Sequence, residues 1–238
     1  LLAVGNVARA RILELVAHSA GAVHYALDNC EHQAVLFGER ARMESVAKAL
    51  GAEGGLCAFL PFDRAYHTPL FEPISTAVEA FLGEIEFRPA QVDLYSCATA
   101  GRFPDEAAAA RRLAAQQWSR RVRFAETIEV LYARGVRHFL EVGPSSNLTA
   151  FIDDILRERP HVAAATNRRQ RSGVEQLLAV LAQLFVNGRA PDLAPLFVDR
   201  RLEVLDLEQA PRGKDASGVL LSNVLPFIAL SPAGVERL

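Results

Sequence analysis

Cysteine is scarce and scattered in this 238-residue chain, with Cys30, Cys57 and Cys97 each standing alone. Because no CxxC pair or Cys/His spacing occurs, the sequence lacks the ligand pattern of a structural zinc site. An odd number of cysteines also argues against a framework of paired disulfides, which favours a reducing compartment. We therefore expect no metal site and a cytoplasmic protein.

An excess of either charge is also lacking, since 26 Lys and Arg face 28 Asp and Glu, for a formal net charge of -2. A nucleic-acid binder usually has a basic surplus, so this function class is not expected. No apolar run approaches the length of a membrane span, and we expect no membrane partner. The start, Leu1–Val4, has no Met and no basic flank, which argues against a signal peptide. We expect further residues of the same domain upstream of it.

Residues 1–62 follow the order βαββαβ, which is typical of a small ferredoxin-like subdomain. Asp28 to Glu31 are turn-forming or polar residues, and they predict the link between the two middle strands. The predicted strands cover 1–4, 22–27, 33–38 and 56–62, and the predicted helices cover 8–17 and 40–50.

Residues 63–190 alternate helical and strand patterns, which predicts a parallel α/β layer after the small subdomain. Beyond residue 190 the pattern weakens, and 191–238 is predicted to be a linker. The predicted strands of the layer are 92–97, 138–142 and 162–166, and its predicted helices are 74–82, 105–118, 125–134, 147–158 and 174–187.

His67 is a candidate general base, because histidine titrates near neutral pH and Pro69 stiffens the loop around it. The plainer alternative is a loop histidine that makes one hydrogen bond.

Four motifs of the chain, in order along residues 1 to 190, resemble those of malonyl-specific acyltransferase domains of polyketide and polyunsaturated-fatty-acid synthases. The family stretches are Asn-Ser-Pro-x-Gln-x-Val-x-Ser-Gly, Ala-Phe-His-Ser-Pro-Leu, Gln-Leu-x-x-Pro-Val-x-Phe and Phe-Leu-Glu-Val-Gly-Pro-Gly-x-x-Leu-Thr. The matching segments are residues 28–38, 65–70, 117–124 and 139–149.

The resemblance implies the C-terminal portion of such a domain, with the ferredoxin-like subdomain followed by part of an α/β-hydrolase-like core. It implies transfer of a malonyl group from malonyl-CoA, through an acyl-serine, to the phosphopantetheine of an acyl carrier protein. No metal or redox cofactor is needed. Implied partners are the acyl carrier protein and neighbouring synthase domains such as a ketosynthase. The segment 205–211 departs from the linker of many modular synthases, which favours an iterative synthase.

The resemblance also assigns site residues. It implies that His67 is the general base and that Gln117 is at the position whose main-chain carbonyl orients the imidazole, although a side chain on a surface helix is the alternative for Gln117. Tyr66 corresponds to a Phe that favours malonyl over methylmalonyl, although packing alone is an alternative. Asn29 corresponds to a residue near the pocket floor, and a turn residue between two strands is the alternative.

The serine nucleophile of the family is missing, because the chain has no GxSxG. Ser19 in Ala-His-Ser-Ala-Gly resembles this motif but is not expected to be the nucleophile. The motif requires a strand before the serine and a helix after it, whereas Ser19 follows a predicted helix and precedes a predicted strand. The family's malonyl-binding arginine also lies upstream.

Two alternative functions stay open. One is a non-catalytic acyltransferase-like module that docks carrier proteins or braces neighbouring domains, and the other is an editing hydrolase that clears stalled acyl groups.

Overall fold

The computed structural model describes residues 1–62, 64–198, 220–222 and 227–229. The chain forms two compact units, Leu1–Pro191 and Asp192–Leu238. The predicted division at 62/63 falls inside the first unit. Most of the predicted linker 191–238, together with Asp63 and the segment 205–211, lies outside the described residues.

The first part of the chain forms a split βαββαβ unit, as predicted. Its four strands pair in the antiparallel order β4-β1-β3-β2. Alternate side chains of β1 point inward, so that Leu2 and Val4 are opposite Leu36 and Ala34 in a shared core. The elements are β1 Leu2–Gly5, α1 Arg9–Ala17, β2 Val23–Cys30, β3 Gln33–Gly38, α2 Arg40–Ala52 and β4 Leu56–Phe59.

The predicted turn at 28–31 is wrong, because β2 continues through Cys30 and the turn is Glu31–His32. Asp28 is tolerated inside a buried strand because it is paired twice. The Tyr25 hydroxyl donates to Asp28 Oδ1 over 3.0 Å, and Arg9 lies 2.9 Å from the same oxygen. These partners satisfy the carboxylate, which would be costly to bury alone.

The remainder of the first unit consists of helices around short strands. A second core forms where α5, β8 and α6 pack through Ile128, Phe139 and Ile152. The elements are α3 Glu72–Leu82, β5 Tyr95–Ser96, β6 Gly101–Arg102, α4 Ala107–Gln116, β7 Val122–Arg123, α5 Phe124–Ala133, β8 His138–Glu141, α6 Asn147–Leu156, β9 Val162–Ala165 and α7 Gly173–Val186.

The parallel layer is present as two pairs of strands. β8 and β9 pair in parallel, and the unpredicted β7 pairs in parallel with β2, which joins it to the small subdomain's sheet. The predicted buried strand 92–97 is wrong. Only Tyr95–Ser96 is extended, in a short hairpin with β6, and Val92 is 75% exposed.

The second unit contains a 3₁₀ turn, Ala194–Leu196, and a hairpin of β10 Leu220–Ser222 with β11 Phe227–Ala229. Within the described ranges, no helix combines the length and the apolar character needed to cross a bilayer. The same residues contain no group of three or more His, Cys, Asp or Glu side chains placed to hold a metal ion.

Candidate active site

His67 lies in a tightly bonded loop between β4 and α3. The fully buried Thr68 donates its hydroxyl to the Ala65 carbonyl over 2.7 Å, and the Phe71 N–H donates to the Thr68 carbonyl over 3.0 Å. His67 itself has a φ of +61°, in the left-handed region that non-glycine residues seldom occupy. Backbone conformations of this kind persist where surrounding contacts fix them, and they are concentrated at functional sites.

Two consecutive carbonyl groups after the end of α4 hold His67. The backbone N–H of His67 donates to the Trp118 carbonyl over 2.7 Å, and ring atom Nδ1 lies 2.9 Å from the Gln117 carbonyl oxygen. A carbonyl oxygen only accepts hydrogen bonds, so Nδ1 must carry a proton. The neutral imidazole therefore has its lone pair on Nε2, the form that a general base requires.

A side-chain contact fixes the segment that follows α4. The Ser119 hydroxyl donates to Glu72 Oε2 over 2.5 Å, and its oxygen lies 3.1 Å from the Gln116 carbonyl oxygen. This contact ties the end of α4 to the start of α3, the helix that follows the His67 loop, so both sides of the site are fixed together.

Aromatic rings form one wall beside His67. The Trp118 ring is nearly parallel to the imidazole, with an interplanar angle of 15° and centroids 6.1 Å apart. Tyr66 packs against Trp118 and, at a centroid distance of 5.0 Å, against Phe71. The Tyr66 and Trp118 rings and His67 border a cavity of ~340 Å³ that is otherwise apolar, here called the apolar cavity. Its other lining residues are Leu1, Leu27, Leu60 and Phe62.

His67 also borders a second cavity, of ~630 Å³, here called the basic cleft. Its charged side chains are Arg120, Arg121 and Arg123, and no carboxylate is among its described lining residues. The imidazole thus lies between an apolar space and a cationic one.

Comparison with known proteins identifies this arrangement. The chain is 30% identical over 202 residues to the spectinabilin polyketide synthase system protein NorB of Streptomyces orinoci, covering 82% of this chain. It is 29% identical over 189 residues to a phenolphthiocerol synthesis polyketide synthase type I of Mycobacterium marinum, covering 78% of this chain. It spans only 9% of either protein. No family model matches the chain.

Solved structures of polyketide synthase domains share the fold of this chain. The acyltransferase domain from the second module of the salinomycin polyketide synthase superposes with a TM-score of 0.72 at 27% identity. That match covers 86% of this chain and 48% of the solved one. The chain belongs to the acyltransferase domains of polyketide synthases.

Related structures extend the match to an iterative synthase and a separate enzyme. The acyltransferase domain of the iterative polyketide synthase in enediyne biosynthesis has a TM-score of 0.67 at 25% identity, covering 84% of this chain and 50% of that one. The malonyl CoA-acyl carrier protein transacylase of Clostridium perfringens, at 22% identity and a TM-score of 0.64, shares the fold. Assignment of this acyltransferase chain to an iterative synthase stays a prediction.

The acyltransferase fold brings three of the four predicted site residues together. His67, Tyr66 and the Gln117 carbonyl lie in one cluster, whereas the exposed Gln117 side chain is not what contacts the imidazole. Asn29 is buried within β2, and its amide donates to Gln33 Oε1 across the β2–β3 hairpin. Asn29 is therefore not a turn residue, and it is not among the described lining residues of either cavity beside His67. The roles of all four residues stay predictions.

Ser19 lies in the turn after α1 and before β2, as the sequence predicted. Its buried hydroxyl donates to the Val16 carbonyl over 2.7 Å and accepts the Val23 N–H over 3.1 Å. Both bonds close the turn, which gives Ser19 a local structural role in this acyltransferase chain.

Trp118 is the residue at this site that sequence reasoning missed. It supplies a carbonyl to the His67 backbone, a ring beside the imidazole and a wall of the apolar cavity. It is the single tryptophan of the chain, and it stands next to Gln117 in a recognised motif. Its place beside Gln117 in the motif was the sequence feature that could have indicated a role for Trp118 at the site.

The motif 139–149 has a structural explanation in the cap of α6. Glu141 ends β8, and its Oε2 accepts both the backbone N–H and the hydroxyl of Thr149, each over 2.8 Å. Thr149 is in the first turn of α6, where backbone N–H groups have no partner within the helix. The glutamate thus replaces an ordinary N-cap side chain and attaches α6 to the sheet.

Proposed function

We propose that this chain supplies the general-base side of an acyltransferase that moves a malonyl group from CoA to the phosphopantetheine of an acyl carrier protein. The bond from His67 Nδ1 to the Gln117 carbonyl is the main support, because it leaves the Nε2 lone pair as the proton acceptor. The nucleophile is a serine outside this chain. The proposed transfer needs no metal or redox cofactor.

In the first step, Nε2 of His67 accepts the proton of the serine hydroxyl as the serine oxygen attacks the thioester carbonyl. The C–S bond breaks, and the CoA thiolate takes the proton from the imidazolium, which leaves an acyl-serine. In the second step, the carrier thiol gives its proton to Nε2 and its sulfur attacks the ester. The serine leaves with that proton, and a carrier thioester and a neutral imidazole remain.

The structure favours a small acyl group for this reaction. Tyr66 and Trp118 line the apolar cavity beside His67 and pack against each other, and bulky rings at this position would crowd a branch on the α-carbon of the acyl group. We propose that malonyl is therefore preferred over methylmalonyl. The carrier protein and neighbouring synthase domains, such as a ketosynthase, are the proposed partners.

The test is His67→Ala in the complete acyltransferase domain, measured as malonyl transfer from malonyl-CoA to a carrier protein. Loss of the general base should lower the transfer rate by roughly 10²- to 10⁴-fold. His18→Ala is a matched control, because the exposed His18 ring also bonds a main-chain carbonyl, that of Glu14, through Nδ1 over 2.8 Å. It should transfer at the wild-type rate.

Three results would contradict this proposal. Near wild-type transfer by the His67→Ala variant would show that the imidazole is not the base. No transfer by the wild-type domain would favour the non-catalytic docking module. Release of free malonate in place of malonyl carrier protein would favour the editing hydrolase.

A further inference from the structure

The basic cleft has positive charge that the protein itself only partly compensates. The charge of Arg123 is compensated within the protein, since Arg123 pairs with Glu126 and donates to the Thr99 carbonyl over 2.9 Å. Arg120 donates to the neutral Gln116 side chain over 2.6 Å. Arg121 forms no ion pair with any described carboxylate. Arg120 and Arg121 therefore line the cleft with no ion-pair partner among the residues that the structure describes.

Arg121 is also held in a defined orientation. Its guanidinium lies over the Tyr25 ring, with 5.2 Å between the guanidinium carbon and the ring centroid. A cation–π contact with a ring leaves the N–H donors of the guanidinium available for other partners. Those donors form the fork that binds two oxygens of a phosphate.

The platform beneath Arg121 is rigid. Tyr25 is buried, and its hydroxyl donates to Asp28 Oδ1, the oxygen that also pairs with Arg9. A stacking partner fixed in this way reduces the conformational entropy that Arg121 would lose on binding an anion. The Arg121 side chain is thus positioned in the cleft before a phosphate binds.

We propose that Arg121, assisted by Arg120, binds the phosphate of the phosphopantetheine arm in the basic cleft. This phosphate is common to CoA and to a loaded carrier protein, so one subsite serves both steps of the transfer. The inference rests on the proposed function and adds the group that recognises the thiol carrier. The related acyltransferase motif has proline at the position of Arg121, so the subsite is a property of this chain.

The test compares the binding of 4′-phosphopantetheine and pantetheine, which differ only in the phosphate. Trp118 is the single tryptophan and lies beside His67 at the edge of the apolar cavity, so its fluorescence reports on ligands at this site. In low salt, we expect 4′-phosphopantetheine to bind the 238-residue chain about tenfold more tightly than pantetheine. Salt should weaken this preference.

Arg121→Gln should remove most of the preference, and Arg121→Lys should retain a part of it, since a lysine keeps the charge but not the fork. Arg134→Gln is the matched control, because Arg134 also lies over a tyrosine ring, that of Tyr95, but does not line the basic cleft. It should bind as wild type does. Equal binding of the two probes by wild type, or an equal loss in both glutamine variants, would overturn the proposal. Circular dichroism establishes that each variant is folded.

Transfer kinetics in the complete domain distinguish the two sources of the phosphate. If Arg121→Gln raises KM for both malonyl-CoA and the carrier protein, the subsite serves both, whereas a change in one KM alone assigns it to that substrate. Unchanged values of both would overturn the proposal. The His67→Ala variant separates the two proposals, because it should keep the phosphate preference even where transfer is lost.

Discussion

Glu141 should be the most stabilising polar residue of the second core. The residue is 7% exposed, and its side chain accepts two hydrogen bonds from Thr149. Glu141→Gln keeps the shape and one acceptor oxygen but removes the negative charge. Glu141→Ala removes the acceptor altogether.

The structure sets the size of each effect. A hydrogen bond to a charged group contributes about 1.5–3 kcal/mol, and a favourable charge at a helix N-terminus contributes about 0.3–1 kcal/mol. Because both bonds go to the single oxygen Oε2, the glutamine carbonyl oxygen can accept both and only the charge is lost, so Glu141→Gln should lower the free energy of unfolding by about 1–3 kcal/mol. Glu141→Ala should cost about 3–5 kcal/mol, since it also leaves the Thr149 donors unpaired and opens a cavity.

Urea unfolding followed by circular dichroism measures these differences as shifts of the midpoint. Glu158→Gln is the matched control, because Glu158 is exposed and lies just after the end of α6. It should change the free energy of unfolding by less than about 0.5 kcal/mol. Thr149→Val should cost about 1 kcal/mol and should be non-additive with Glu141→Gln, because the two residues share a bond. A Glu141→Gln protein as stable as wild type, or strict additivity, would refute the proposed cap.

Two further perturbations test the electrostatics and the apolar cavity. Partial burial acts to raise the pKa of Asp154, but hydrogen bonds involving Cys30, His32 and Arg157 outweigh it and hold the pKa below its ordinary value of 3.8. Asp154→Asn should therefore lower the free energy of unfolding at pH 7. The difference in stability from wild type should vanish as pH falls below about 4, because the carboxylate is then protonated. A difference in urea midpoint that does not change with pH would contradict this. Tyr66→Ala should enlarge the apolar cavity and raise the kcat/KM ratio of methylmalonyl-CoA to malonyl-CoA about tenfold in the complete domain, and an unchanged ratio would exclude Tyr66 from selectivity.

Helices were the best predicted elements, because amphipathic periodicity is a local property of the sequence. The predicted helix 125–134 and the observed Phe124–Ala133 differ by one residue at each end. The segment 92–97 has the apolar composition of a buried strand, but no described neighbour pairs with Val92 and it stays exposed. Strand formation depends on a partner strand, which the local pattern does not reveal.

Asp28 illustrates the opposite error. Its polar side chain indicated a turn, yet Arg9 and Tyr25 neutralise it within β2. A residue's cost of burial depends on its partners, and Arg9 lies on a different element.

The sequence by itself determined the βαββαβ order of residues 1–62, the acyltransferase resemblance and His67 as the candidate base. These conclusions follow from periodicity and from short motifs, whose residues are adjacent in the chain. Only the tertiary structure decided the imidazole's tautomer, because the Gln117 carbonyl lies 50 residues away from His67. It also decided the stacking of Arg121 on Tyr25, which joins a residue after α4 to strand β2. Contacts between distant segments set the chemistry of the site, and they exist only once the chain has folded.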